Sequence, residues 1–453
     1  MNAAVRRGPS ATLILGSLLA ILLAVPAASA SAPGSTEHGV NRAKLAAKAK
    51  RMIEKRNGIE VLKISRCGPS KRKGRLDFGT WVCKWRAEGI WPGQVPYHCA
   101  GDARWKRKQG RWRVDPCKNR LQPQAPLLDV PNPHPAFGYN DNWIFQPDRA
   151  LDLLAESGAG IARTSLAWSG VERSPGGYDW YGSDLLYAKL LERGLRPLFV
   201  VSDAPCWAQP NPAACEGGND QQRPAQQYYD EFARFAAAAA RRYPASVGIE
   251  VWNEPNYPLF WGTWPEPDMY AKMLREVADA VHEAVPGMTV VSGGLSPHAD
   301  SDKNAIGFSN FLEKLYDFGA AKKADAIGIH PYPGVGPGED YIADVRVYLG
   351  KVQRVMRRNG DADRPMWATE FGVSTTGEHA FDPAHQGSAL QELYEILRRV
   401  QRVDLAIVHR FVEDPALGGR EGGFGVLSKA LAPKPAYCAL AQVRGVAPAP
   451  TGC

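Results

Sequence analysis
The sequence predicts an α/β chain, a (β/α)8 barrel preceded by a small disulfide-containing α+β domain. Three observations predict it. From residue 136 onward, eight short apolar runs rich in β-branched residues alternate with eight helical patterns, the mark of βαβ units and a parallel sheet. Eight strands is the number a closed barrel of this kind requires. Ahead of them, residues 31–120 form a basic stretch holding four cysteines and one helical pattern followed by strand-like runs. Between the two lies residues 121–135, where Pro123, Pro126, Pro131, Pro133 and Pro135 favour an extended linker.

The strand runs are Ala136–Asn140, Ile161–Trp168, Arg196–Asp203, Val247–Trp252, Met288–Ser292, Ala326–Tyr332, Pro365–Glu370 and Leu405–Phe411. The helical patterns are Pro147–Glu156, Ser183–Arg193, Pro224–Tyr243, Pro267–Val285, Asn310–Gly319, Asp340–Asn359, Asp382–Val400 and Pro435–Val443. Several carry start signals: Ser183 and Asp382 read as N-caps, and Pro383 sits just inside its helix. Gly194 and Pro244 stop two of them.

In the basic segment, Asn41–Arg56 reads as a helix ended by Asn57-Gly58. Ile59–Cys67, Asp77–Ala87, Tyr97–Trp105 and Arg111–Cys117 read as strands of a small antiparallel sheet. A unit this small has a thin core, which disulfides commonly reinforce.

Length and composition agree with two domains. The chain has 453 residues, 44% of them hydrophobic, and a formal net charge of +8. That charge is concentrated. Residues 41–120 hold 23 Lys and Arg against 6 Asp and Glu, a surplus of 17, so the rest of the chain carries a net −9. Lys71-Arg72-Lys73 and the run from Arg104 to Lys108 are interleaved with Trp81, Trp85, Trp105 and Trp112. Such a face suits an anionic cell-wall polymer or acidic polysaccharide sooner than nucleic acid. The alternative is a solvated basic face over an aromatic core.

Met1–Ala30 reads as a secretory signal peptide: basic Arg6 and Arg7, an apolar Ala11–Val25, and a small-residue cleavage site at Ala28-Ser29-Ala30. An uncleaved anchor is the alternative reading, although the apolar run is shorter than the ~20 residues a span prefers. No second stretch is long enough to cross a bilayer, so the mature chain is expected to be extracellular without a stable membrane span. All eight cysteines (Cys67, Cys83, Cys99, Cys117, Cys206, Cys215, Cys438 and Cys453) follow this segment. An even count in an exported chain argues for disulfides over zinc. Cys206 and Cys215 are expected to close a small loop near Trp207.

Two strand ends carry the chemistry. Ile249–Asn256 reads Ile-Glu-Val-Trp-Asn-Glu-Pro-Asn, a buried run whose last residues emerge as Trp252, Asn253 and Glu254 before Pro255 stops it. A second run, Met366–Val373, brings out Glu370, 116 residues later. An acid at such a place is expensive unless it is paired or used. Two carboxylates flanking one bond are what glycoside hydrolysis needs. Arg163 is a charge inside the otherwise apolar Ile161–Trp168 run, and His330 and Tyr332 end the sixth run. Flat rings near the acids suit the face of a sugar or pack their own loops: Trp168 and Trp207, with Tyr257, Phe260, Trp261 and Trp264 crowding the loop after the fourth run.

Asn253-Glu254-Pro255 with Thr369-Glu370-Phe371-Gly372 resembles the signature of clan A glycoside hydrolases, its family 39 and family 5 members in particular. The resemblance spans about residues 130–440; the N-terminal segment resembles no family. It implies a retaining double displacement, with Glu254 as acid/base after strand 4 and Glu370 as nucleophile after strand 7. It implies that Arg163 keeps Glu370 ionised, that Tyr332 bonds the Glu370 carboxylate, and that Asn253 bonds the sugar 2-hydroxyl. The chain departs from the clan at the eighth strand, where a Trp usually floors the sugar site. Here the run reads His409-Arg410-Phe411-Val412-Glu413, so Phe411 takes that place or the floor comes from elsewhere.

No metal or cofactor is expected. The sequence has no Gly-x-Gly-x-x-Gly, P-loop, His-Glu-x-x-His or Gly-x-Ser-x-Gly motif. A carbohydrate is the expected partner. The readings that compete are a catalytically inactive carbohydrate- or wall-binding barrel and a barrel hydrolase acting on an amide.

Overall fold
The computed structural model describes residues 36–37, 40–57, 63–72, 75–91, 95–109, 111–114, 135–217 and 222–453. The proposed signal peptide and residues 121–134 of the linker lie outside them. The chain separates into two compact units, Met1–Pro123 and Gln124–Cys453.

In the first unit, helix Arg42–Asn57 accompanies a four-stranded antiparallel meander of Lys63–Arg72, Arg75–Trp91, Val95–Lys106 and Arg111–Val114. Strand alternation divides the sheet. Trp81, Cys83, Ala103 and Val114 form one buried cluster with Leu45, Ala49 and Ile53 of the helix, and Trp105 and Trp112 pack at its edge. The other face is cationic. Arg104 lies directly opposite Arg113, and Lys106 directly opposite Arg111. Cys67 and Cys83, facing partners on the first two strands, form a disulfide. Cys117 lies outside the described residues.

All eight expected barrel strands are present in the second unit. They are Ala136–Asn140, Ile161–Ala167, Arg196–Ser202, Gly248–Val251, Val290–Ser292, Ile327–Ile329, Met366–Phe371 and Val403–His409, numbered 1 to 8 in that order. Each pairs in parallel with its sequence neighbour except at strands 5 and 6, and strand 8 pairs with strand 1. Bridges from Val291 to Ala326 and from Leu295 to Ile329 join strands 5 and 6 and close the ring.

The helices follow the caps. Pro267, Pro383 and Pro435 each occupy a first helical position, and Asp382 accepts hydrogen bonds from the Ala384 and His385 amides. Ser183 is not a cap. Its helix begins two residues earlier, at Tyr181, and the Ser183 hydroxyl donates to the Trp180 carbonyl at 3.1 Å instead. Trp168 does not finish strand 2 either; it opens a one-turn helix, Trp168–Val171, followed by a hairpin of Glu172–Ser174 and Gly177–Tyr178. Disulfides Cys206–Cys215 and Cys438–Cys453 staple the loop after strand 3 and the C-terminal end. No helix among the described residues is long and apolar enough to cross a membrane.

The barrel interior changes character along its axis. Ile161, Leu198, Val291, Ala326, Leu405 and Ile407 fill its lower end with an apolar layer. Two residues further along the same inward alternation, Ile161 gives way to Arg163, Ile407 to His409, Gly138 to Asn140 and Gly248 to Glu250. A hydrophobic plug thus supports a polar layer at the ends where such barrels build their sites.

Glycine at 328 allows strands 5 and 6 to approach. A Cβ there would press into the Ser292 carbonyl oxygen, backbone that has nowhere to move. Gly328→Ala is expected to lower stability by about 1–3 kcal/mol, read as a lower urea midpoint; an unchanged midpoint would show that the strands tolerate separation.

Candidate active site
Strands 1, 4 and 7 and the turn after strand 4 converge on one guanidinium, carried by strand 2. Arg163 is buried, and its five N–H donors meet five acceptors. Nε and Nη2 bond the two Glu250 oxygens at 2.7 and 3.2 Å. Nη1 bonds Glu370 Oε1 at 2.5 Å and Asn140 Oδ1 at 3.1 Å. Nη2 also bonds Asn253 Oδ1 at 3.0 Å. Glu250 is fully buried and takes further bonds from the Gly294 amide (3.0 Å) and the Thr369 hydroxyl (2.9 Å). A buried ion pair survives desolvation only when its remaining lone pairs are met in this way.

Glu370 ends strand 7. Its Oε1 accepts from Arg163 and, at 3.3 Å, from Asn140 Nδ2; its Oε2 accepts from the Tyr332 hydroxyl at 2.6 Å. His330 Nδ1 and His409 Nδ1 each stand 3.6 Å from Oε2. Burial pushes this carboxyl up. The neighbouring His330 and His409 rings, where protonated, together with the Arg163 guanidinium and the Tyr332 hydrogen bond, outweigh burial and bring it below the usual carboxylate range. Burial and the Glu370 charge raise Tyr332 far above an ordinary phenol, so it stays a donor.

Glu254 arrives from the opposite wall. The chain leaves strand 4 at Val251 and turns through left-handed backbone at Trp252 (φ 72°) and Glu254 (φ 43°). The Glu254 amide is anchored on the Gly294 carbonyl at 3.1 Å. Such conformations are costly and persist only where the surroundings enforce them. Glu254 Oε1 lies 2.9 Å from His330 Nδ1. One oxygen of Glu254, one of Glu370 and a His330 ring nitrogen all fall within 4.8 Å of each other. Both carboxylates are only slightly exposed, 8% and 7%.

The structure therefore gathers Arg163, Asn253, Glu254, His330, Tyr332 and Glu370 at one mouth. It does not gather the expected rings. Trp168, Trp261 and Phe411 are wholly buried and offer no face to a sugar. The Trp168 indole N–H bonds Glu172 at 2.5 Å and that of Trp261 bonds Glu266 at 3.3 Å, so both pack their own loops. Phe411 lies past the end of strand 8 and turns into the layer of Tyr139, Trp143 and Tyr437. Trp207 keeps part of its ring exposed, with its edge against Trp168 at 5.1 Å and its N–H on the Glu172 carbonyl.

Four contributors went unread in the sequence: Glu250, Asn140, His409 and Glu421. Asn140 Nδ2 contacts His409 Nδ1 at 2.9 Å, and His409 Nε2 contacts Glu421 Oε2 at 3.1 Å. Glu250 left a signal, an acid at the centre of the apolar Ile249–Val251 run. Glu421, in a Gly-rich loop, left none.

The same barrel occurs in solved structures. A family 39 glycoside hydrolase from the gut symbiont Bacteroides cellulosilyticus WH2 superimposes with a TM-score of 0.55 at 20% identity, over 78% of this chain and 71% of that one. A glucosidase from Croceicoccus marinus gives 0.52 at 14% identity, over 70% and 68%. An exo-β-1,4-mannosidase from Opitutaceae bacterium strain TAV5 gives 0.51 at 17% identity, over 69% and 59%. This chain shares their eight-stranded parallel barrel fold. Neither a protein-family profile nor a curated protein matches it.

Removing Glu250 would leave the buried Arg163 with part of its charge uncompensated. Glu250→Ala is expected to lower stability by about 3–5 kcal/mol at neutral pH, measured by urea denaturation. A loss below ~1 kcal/mol would mean that Glu370 alone suffices to hold the guanidinium.

Proposed function
We propose that this protein is an exported, retaining glycoside hydrolase that cleaves O-glycosidic bonds of an oligosaccharide or polysaccharide. The observation that carries the reading is the pairing of Glu370, held as an anion, with Glu254, whose nearest carboxylate oxygen lies within 4.8 Å. Retaining enzymes keep their carboxyl groups ~5–5.5 Å apart, whereas inverting ones leave ~6.5–9.5 Å for a water.

The steps give the two carboxyls different roles. Glu370 attacks the anomeric carbon while Glu254 gives its proton to the departing oxygen, so one C–O bond forms as another breaks. In the second step Glu254 takes a proton from water, and that water displaces Glu370 from the sugar. Arg163 and Tyr332 stabilise Glu370 whenever its charge is restored. Arginine only donates, so its bond fixes Asn253 Oδ1 inward and leaves Nδ2 to donate to the sugar 2-hydroxyl. His330 holds Glu254 Oε1. The arrangement of both carboxylates, Arg163 and Asn253 around one mouth weighs against an inactive sugar-binding barrel. The fold relatives are named for different sugars, so the glycone is not inferred from them.

Export agrees with the Met1–Ala30 pattern and with disulfides in both units. The cationic sheet face of the first unit adds a second partner, an acidic polysaccharide. Like charges directly opposite on a sheet are destabilising, and Lys106 with Arg111 and Arg104 with Arg113 repeat that arrangement. An Asp102 carboxylate 2.7 Å from Arg104 offsets part of it. Trp81, Trp105 and Trp112 lie with the opposite, helix-covered side. Bases would need such rings to stack on, so the face favours a sugar polyanion over single-stranded nucleic acid.

Two outcomes test these readings. With azide present, Glu370→Gly should regain turnover of an activated aryl glycoside and release a glycosyl azide of inverted configuration. Glu254→Ala, slowed by about 10²–10⁴-fold, should release one of retained configuration. Swapped configurations would exchange the roles, and rescue of neither would remove the mechanism. Separately, full-length protein should bind polygalacturonate, weakening about ten-fold or more between 50 and 200 mM salt. The K106E/R111E variant should lose that binding. Equal binding by the variant, or stronger binding of single-stranded DNA, would reject the polysaccharide.

A further inference from the structure
Strand 8 ends in His409, and the site fixes which ring nitrogen of this His carries the hydrogen. The logic starts at Arg163, which can only donate. Its Nη1 points Asn140 Oδ1 inward, so the Asn140 amide hydrogens face Glu370 Oε1 and His409 Nδ1. A nitrogen that receives N–H must accept. His409 Nδ1 is therefore bare, and the ring hydrogen sits on Nε2, donating to Glu421 Oε2 at 3.1 Å. The chain Glu250–Arg163–Asn140–His409–Glu421 encircles one side of Glu370.

We propose that His409 is a positioning residue that works in its neutral, Nε2–H form, and that a proton arriving at its Nδ1 turns it against Glu370 and silences the nucleophile. A proton there would face the Asn140 amide, donor against donor, so that bond breaks. The nearest acceptor for the new N–H is Glu370 Oε2, 3.6 Å away. That oxygen already accepts from Tyr332. A second hydrogen bond from a cation occupies the lone pair that attacks the sugar. The inference rests on the glycosidase reading for its kinetic consequence, but not for the tautomer.

The groups around the ring set where the proton arrives. Glu370 on strand 7 and Glu421 on the loop after strand 8 attract it; Arg410, the next residue, repels it. Tyr332 and Phe424 wall the ring edge-on at 5.9 and 5.0 Å, and Arg420 stands over the Phe424 face. Burial lowers His409, but the two carboxylates outweigh it and raise it above the ordinary imidazole value of 6.5. His409 in turn holds Glu421 below the usual carboxylate range. Glu370 is kept below the usual carboxylate range even beside a neutral His409, by the fixed charge of Arg163 and the Tyr332 hydrogen bond. Activity should therefore fall as pH drops through the His409 range, not through that of Glu370.

The test is the pH profile of kcat/KM on an aryl glycoside. Wild type should lose activity on the acid side with a midpoint above 6.5. Glu421→Gln removes a charge that favours the proton, so its acid midpoint should move down by about one unit. His409→Asn retains an acceptor for Asn140 and cannot titrate, so its acid limb should lie lower still, with reduced kcat. A side chain that merely packed would lower kcat without moving the limb. Coincident acid limbs in all three proteins would overturn the proposal. Long-range ¹H–¹⁵N spectra of labelled full-length protein, with His409 assigned by its loss in the Asn variant, read the tautomer directly. Nδ1–H, or a cation throughout pH 6–9, would overturn it too. Absence of turnover on every glycoside would defeat the glycosidase reading while leaving the tautomer measurable.

Discussion

One guanidinium determines what the rest of this barrel can be. Arg163 is a permanent charge deep inside a fold, where an unpaired ion is prohibitively expensive. Five donors in a rigid plane demand five acceptors at set angles. Strand 1 supplies Asn140, strand 4 supplies Glu250, the turn beyond it supplies Asn253, and strand 7 supplies Glu370. Each acceptor is thereby placed to within hydrogen-bond tolerance by a group that cannot itself move or titrate. Arg163 bonds both oxygens of Glu250 and only one of Glu370, so one positive charge faces two carboxylates and the group keeps a net negative charge.

The fixed plane also transmits orientation. An amide side chain is ambiguous until something decides which end is oxygen. Here Arg163 decides it twice, for Asn140 and for Asn253. The first decision passes on to the His409 tautomer; the second presents donors to the cavity. Below this layer the apolar plug excludes water from the ion pair, so the electrostatic interactions act at short range in a poorly screening medium. The stability of the polar layer and its reactivity therefore have the same origin.

Much of this was legible in the chain. Strand ends, breakers and caps located the eight strands, because buried parallel strands are apolar runs bounded by polar loops. Glu254, Glu370 and Arg163 stood out as charges where charges are expensive. The rings misled because a Trp near an acid reads the same whether its face meets a sugar or its N–H meets a loop carboxylate. Burial decides between these, and burial is a property of loop packing, which has no short-range sequence pattern. Glu421 was invisible for the related reason that a contact twelve residues away, through a loop of glycines, follows no periodicity. Asn140 and His409 carried the right position, the last inward residue of a strand, but not a distinctive residue type.

The buried rings still bear on the site, through rigidity instead of contact. Trp168 and Trp207 both hydrogen-bond Glu172, one to its carboxylate and one to its carbonyl. Trp252 donates to the Phe260 carbonyl at 2.9 Å, and Trp261 to Glu266, which also pairs with Arg223 at 2.5 Å. Trp168 against Trp207 joins the loops after strands 2 and 3, and Arg223, over the Trp261 ring and paired with Glu266, joins the loop after strand 3 to that after strand 4, with the Cys206–Cys215 staple among them. Glu254 hangs from the last of these loops in a backbone conformation that relaxes unless its neighbours resist. A stiff aromatic wall supplies that resistance, so that in the proposed mechanism Glu254 would meet the bond across from Glu370 without first having to be ordered. Aromatic residues clustered near the two carboxylates therefore build the frame that holds Glu254, while one arginine fixes the polar groups that face the cavity.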